Sequence, residues 1–237
     1  MKKFYKEATY KDENGLYLIT LDDRTINTPA NNILVCQSEK LARAICDEWN
    51  AQDENIVPDK MPLTQYCYTA LDYIPKHRSE IINTMMNFLD TDLVCYRTDD
   101  PADLGQLQAQ NWDPFIDWFE SHFDYRLATT TGLSALKHDN DAHERVLKHV
   151  HTLDHDHLTI AQSLTATCGS LVMALRFIDG QVSSEDMFNA AFVEELYQGR
   201  IYDEDRYGID PNQEKQRAKF TQDINAARIF LDAVKSI

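Results

Sequence analysis

Apolar and polar residues alternate along roughly the first 36 positions, and beyond them apolar residues recur at steps of three and four. The first pattern predicts short strands over residues 4–11, 16–21, 25–28 and 33–36, all rich in Tyr, Ile, Leu, Val and Thr. Asn14-Gly15, Asp22-Asp23 and residues 29–32 carry turn chemistry between them, so the strands should form a small antiparallel sheet. Ser38 is placed to cap a helix in which Leu41, Ile45 and Trp49 recur every four residues, with Ala42 and Cys46 widening the stripe. That helix should pack on the sheet.

Pro58 and Pro62 mark the change of period, which predicts an α+β fold: a β-rich domain over 1–58 with its packed helix, then an all-helical domain over 59–237. Pro75 suits a first helical turn, with Ile81, Met85, Phe88 and Leu89 as the buried stripe that follows. Residues 92–97 read as extended, and Asp113-Pro114 as the N-cap and first residue of a helix carrying Phe115, Trp118 and Phe119. A broad apolar face from Leu158 to Ile178 predicts one central helix, in which Gly169 implies close packing against a neighbour. Ser183 and Asp186 have capping-box spacing ahead of a helix containing residues 190–198, and Phe220, Ile224, Ala227, Leu231 and Val234 form the seam of a last helix. Trp49 and Trp118, each on an apolar stripe, are assigned to the structural core.

Charge narrows the function classes. Asp and Glu number 39 against 23 Lys and Arg, a net charge of -16, and that field repels phosphate backbones and anionic lipid surfaces. Nucleic acid is therefore not expected as a partner. No window supplies the ~18 consecutive apolar residues of a membrane span, so no membrane insertion is expected. The first residues, Met1-Lys2-Lys3-Phe4-Tyr5-Lys6-Glu7, resemble neither a signal peptide nor a presequence, which leads to the expectation of a bacterial cytoplasmic protein, or one of the mitochondrial matrix if trimmed. Five widely spaced cysteines beside apolar residues read as reduced, buried thiols.

Candidate chemistry is sparse. His151 and His155 would share one helix face at i and i+4, beside Asp154, which admits a histidine/carboxylate metal-dependent hydrolase; Thr152, however, stands where HExxH chemistry needs glutamate. There is no phosphate-binding glycine loop and no GxSxG elbow, and Cys168 is better placed as core than as nucleophile. Glu195 falls three residues after Phe192 and seven after Phe188, at the edge of an apolar stripe; it is either a solvated flank or a charge held for a cation on another surface.

Several segments in order resemble one family. They are Phe4-Tyr5-Lys6, residues 21–30, Glu48-Trp49-Asn50-Ala51-Gln52, Met61-Pro62-Leu63-Thr64, residues 91–97, residues 112–118 and residues 169–175. The family is that of assembly chaperones for the α subunit of the F-type ATP synthase head, found in mitochondria and some bacteria. Residues 193–198 are similar to its acidic segment, with departures elsewhere at Asp23 and Thr25. The resemblance implies a small α+β amino-terminal part, a helical carboxy-terminal part, no catalytic residues, no metal and no cofactor. It further implies the ATP synthase α subunit as partner, a chain that is monomeric when free, and client contacts through Glu194, Glu195 and Gln198. A general protein-binding adaptor is the remaining alternative.

Overall fold

A computed structural model describes residues 1–234, apart from the side chains of residues 205 and 207. The chain divides into two compact units. One comprises Met1–Arg78, Asp154–Thr159 and residues 225–234; the other comprises Ser79–Leu153 and Ile160–Ile224.

The first unit is built on a four-stranded antiparallel sheet. Strands β1 (Ala8–Glu13) and β2 (Leu16–Leu21) form a hairpin in register from Ala8 opposite Leu21 to Glu13 opposite Leu16. Its turn is Asn14-Gly15, both at positive φ, the pairing a two-residue hairpin favours. Two short strands, β3 (Arg24–Thr25) and β4 (Val35–Cys36), share the other edge of β2. Residues 4–7 stay outside the ladder, contrary to the strand expected there. Asp22 accepts the N–H groups of Lys6 and Glu7, and Tyr5 donates its hydroxyl to the Trp49 carbonyl at 2.6 Å.

Helix α1 (Glu39–Asn50) lays Leu41, Ala42, Ile45, Cys46 and Trp49 against β1 and β2. Ser38 occupies the N-cap position, but its side chain makes no capping bond. Helix α2 (Pro62–Tyr68) is capped instead by Glu48 of α1, whose carboxylate accepts the N–H groups of Leu63 and Thr64 at 2.7 and 2.8 Å. Pro75 falls in the first turn of its helix, as expected. A π-helical turn over Thr69–Tyr73 joins α2 directly to α3 (Ile74–Met86), placing the proline inside a continuous helical run where the wider turn accommodates its missing N–H.

The second unit is helical, around α4 (Ala102–Phe123), which packs against α5 (Asn140–Thr152), α7 (Leu171–Ile178), α8 (Ser184–Ala191) and α9 (Val193–Ile201). Trp112, Phe115, Phe119 and Phe177 are its fully buried centre. Trp118 is also buried, as Trp49 is in the first unit. Helix α4 begins eleven residues before Asp113, so Asp113-Pro114 is not a helix start; Asp113 pairs with Arg97 at 2.7 Å. The early start is possible because Gly105 lets the helix pass against the chain before it. A Cβ at that position would lie 2.5 Å from the Thr98 carbonyl oxygen. Gly105→Ala is therefore expected to lower stability by about 1 to 3 kcal/mol, a loss urea unfolding would register, because backbone and not a flexible side chain blocks the methyl.

Residues 158–178 are two helices, not one. Helix α6 (His155–Cys168) ends at Gly169, whose φ of 66° no helix interior has, and α7 restarts from Ser170, whose hydroxyl accepts the Met173 N–H at 2.9 Å. A Cβ on Gly169 would meet nothing within 4 Å, so the glycine is there for its backbone angle and not for close helix packing. Beyond α9, α10 (Glu204–Tyr207) leads to α11 (Pro211–Val234).

Candidate functional site

The segment carrying Glu194, Glu195 and Gln198 is α9, and its orientation is set by what lies before it. Ser183 caps α8 by accepting the Asp186 N–H at 3.0 Å. The helix expected to continue through residue 198 stops at Phe192, which leaves helical geometry at φ -113° and ψ 19°. Phe192 stacks on Phe188 at 4.9 Å between ring centres and meets Phe220 edge-on at 5.1 Å, so an aromatic cluster fixes the corner from which α9 departs.

Two polar contacts then hold α9 to α4. Gln108, fully buried, donates to the Glu194 carboxylate at 2.7 Å while its own carbonyl accepts the Thr98 N–H at 2.7 Å. Tyr197 donates its hydroxyl to Asp103 at 2.8 Å, a contact that raises the phenol above its ordinary range. On the other flank Arg217 pairs with Glu204 at 2.9 Å and donates to the Glu195 backbone carbonyl at 3.3 Å. Gly199 leaves room for this pair, since a Cβ there would fall 2.4 to 2.6 Å from the Glu204 carboxyl group.

The three candidate residues thus differ in state. Glu194 is exposed but already engaged by Gln108. Glu195 and Gln198 are exposed, and among the described residues neither side chain has a partner. Both acids sit in the first turn of α9, where the helix dipole favours negative charge. Glu195, Gln198 and Tyr202 follow one another at i, i+3 and i+7, so one stripe presents a carboxylate, an amide and a phenol. Tyr202 is 71% exposed and the adjacent Ile201 57% exposed. Sequence reasoning named neither. Their signal was present, since two large apolar side chains end a helix in Arg200-Ile201-Tyr202, but a period count cannot tell which face a short helix buries.

Concavities flank α9 on both sides. One of about 310 Å3 is lined by Leu196, Gly199, Asp203 and Glu204, the other of about 420 Å3 by Asp103, Gln106, Leu107 and Gln110 of α4 with Ile201 of α9; Arg200 borders both.

The histidine cluster does not form the site expected of it. His151 lies near the end of α5 and His155 opens α6, so they do not share a helix face, and His157 is bound to Asp154 at 2.8 Å. Among the described residues no group of three or more His, Cys, Asp or Glu is arranged to hold a metal ion, and no helix is long and apolar enough to cross a membrane. All five cysteines are buried free thiols, and burial pushes Cys46 up to about 12.

Residues 2–120 match the ATP12 chaperone protein family. The mitochondrial protein atp12 of Schizosaccharomyces pombe is 27% identical over 223 residues, covering 88% of this chain and 77% of that protein. Among solved structures, Atp12 from Paracoccus denitrificans superposes with a TM-score of 0.83 at 29% identity, covering 97% of each chain. The Atu1473 protein of Agrobacterium tumefaciens gives 0.87 at 28% identity, over 98% of this chain and 86% of that one.

Proposed function

This chain belongs to the ATP12 chaperone family and is a chaperone of ATP synthase assembly; we propose that its client is the free α subunit of the catalytic head, held until β takes its place. It acts by binding, with no cofactor and no chemical step, and is monomeric when free. Its place of work is wherever the head assembles, the bacterial cytoplasm or the mitochondrial matrix.

The observation that carries this reading is the stripe on α9. Glu195 and Gln198 are exposed without partners, on a helix pinned at both flanks, so they meet a client without first giving up internal bonds. An acidic surface that must release its client on cue suits contacts of modest size, steered by charge. Glu194, tied to Gln108, contributes charge and helps set the pitch of the helix.

Co-purification with isolated α subunit, with isolated β as control, tests the client. Selective capture of α supports the proposal; equal capture of both favours a general adaptor. Glu195→Lys is expected to weaken capture of α about tenfold with an unchanged melting temperature, because an exposed, unpaired carboxylate contributes little to folding. A parallel fall in melting temperature would make Glu195 structural.

A further inference from the structure

On the side of α9 facing α4, we infer that the 420 Å3 groove receives an extended segment of the client, one bearing an apolar side chain next to a lysine or arginine. This rests on the reading of the chain as a subunit-holding chaperone and adds to it a second contact, separate from the Glu195 stripe.

The groove is made by two helix faces. Asp103, Gln106, Leu107 and Gln110 stand at i, i+3, i+4 and i+7 on α4, opposite the face that buries Leu104, Gln108 and Trp112. Arg200 and Ile201 of α9 form the facing wall. Leu107, Ile201 and the ring of Tyr197 supply its apolar surface among polar and charged neighbours, a small patch suited to one side chain and not to a continuous apolar face. An amphipathic helix needs a continuous apolar floor and satisfies its own backbone, so it does not suit this groove.

An extended segment does. The amides of Gln106 and Gln110 and the guanidinium of Arg200 have no partners among the described residues, and they supply the donors and acceptors that an extended backbone leaves open. The Tyr197 hydroxyl and the Leu104 N–H both reach Asp103 Oδ1, which fixes that carboxylate and leaves its other oxygen without a partner among the described residues. Asp99 and Asp100 precede it by four and three residues, so the end of the groove at Asp103, opposite in charge to Arg200 on the facing wall, favours a cation, as does the net charge of -16. The volume holds one or two side chains and a short run of backbone, the low end of the usual range for a binding cleft.

Binding of the full chain to isolated α and to isolated β, followed by titration at two salt concentrations, decides the matter. Ile201→Asp is expected to weaken capture of α about tenfold, and Asp103→Asn, which removes the charge but keeps an oxygen to accept the Tyr197 hydroxyl, to weaken it severalfold with loss of the salt dependence, both with little change in melting temperature. Gln106→Arg with Gln110→Arg, on exposed positions, fills the groove without touching the core and should act likewise. If wild type captures α, and Glu195→Lys weakens it, while all three groove variants stay within about twofold, the groove inference is wrong and the chaperone reading stands. If β alone is captured and the groove variants abolish it, the groove stands and the α assignment falls. Capture of neither subunit by wild type overturns both.

Discussion

Replacing Asp92 with alanine is expected to remove about 3 to 6 kcal/mol of stability, on the scale of the whole margin of a domain, because it strands several buried donors at once at about 1 to 3 kcal/mol each. Asp92 is fully buried. Its Oδ1 accepts the Ser170 hydroxyl at 2.5 Å and the Val94 N–H at 3.3 Å, and its Oδ2 accepts the Val172 N–H at 3.0 Å. The carboxylate thus ties a short 3-10 turn at Leu93–Cys95 to the first residues of α7, where Leu93 also donates to the Gly169 carbonyl at 3.0 Å. Asp92→Asn keeps one acceptor and should lose less. Urea unfolding measures both; a loss below about 1 kcal/mol for the alanine variant would mean that water reaches these groups when the carboxylate is gone.

The same carboxyl carries a pH signature. Burial lifts it to about 6 from the ordinary 3.8, although bonds from Ser170, Val172 and Val94 pull the other way. A group raised in the folded state binds its proton more tightly there than in the unfolded chain. The stability it supplies is complete below about pH 4 and is lost as pH rises through 6, by about 3 kcal/mol in all. Asp92→Asn does not titrate, so the gap between wild type and variant should be widest near pH 4 and narrow toward pH 7. A gap that widens with pH would show that the hydrogen bonds, and not desolvation, control this carboxylate.

Where the sequence misled, one residue type had two physical roles. Gly169 inside an apolar run reads equally well as a packing notch and as a helix stop, and its positive φ, beside a Ser170 bound to Asp92 78 residues away in sequence, decides for the stop. Pro114 reads as a helix start because prolines are cheapest there, yet the packing of α4 against α7, α8 and α9 outweighs the roughly 3 kcal/mol that an interior proline costs. The α1 stripe and the Asn14-Gly15 hairpin were legible because each is fixed within a dozen residues, where periodicity and turn chemistry act without tertiary help.

The candidate site divides along the same line. Spacing placed Glu195 at the edge of one helical stripe through Phe188, Phe192 and Leu196, but the chain breaks at Phe192 and divides that stripe between α8 and α9, because the aromatic corner is set by Phe220 and not by local period. That Gln108 holds Glu194 across 86 residues, and that Arg217 reaches the Glu195 carbonyl across 22, could not be seen, because long-range polar pairs leave no period in a single chain. Gln108, between Leu107 and Ala109, has no signal in the sequence, yet it is fully buried and satisfied at both ends of its amide.

Trp112→Ala should produce the other large loss, about 3 to 5 kcal/mol, because the cavity left by a fully buried indole cannot close among the rigid neighbours of α4. The ring is wholly inaccessible, its N–H donates to the Ala190 carbonyl at 2.8 Å, and the Arg97 guanidinium lies over it at 5.6 Å. That carbonyl lies in the last turn of α8, two residues before the Phe192 corner, so the indole also helps fix where α9 begins. Trp112→Phe retains most of the volume but leaves the carbonyl without its donor, and should lose about 1 to 3 kcal/mol. If the inference about the α9 surface is right, capture of α subunit should fall for Trp112→Phe by more than its small unfolded fraction accounts for, since the helix that presents Glu195 and Ile201 is then less firmly aimed. Equal binding by Trp112→Phe and wild type, alongside a measurable loss of stability, would confine Trp112 to the core and leave the aim of α9 to Gln108 and the aromatic corner.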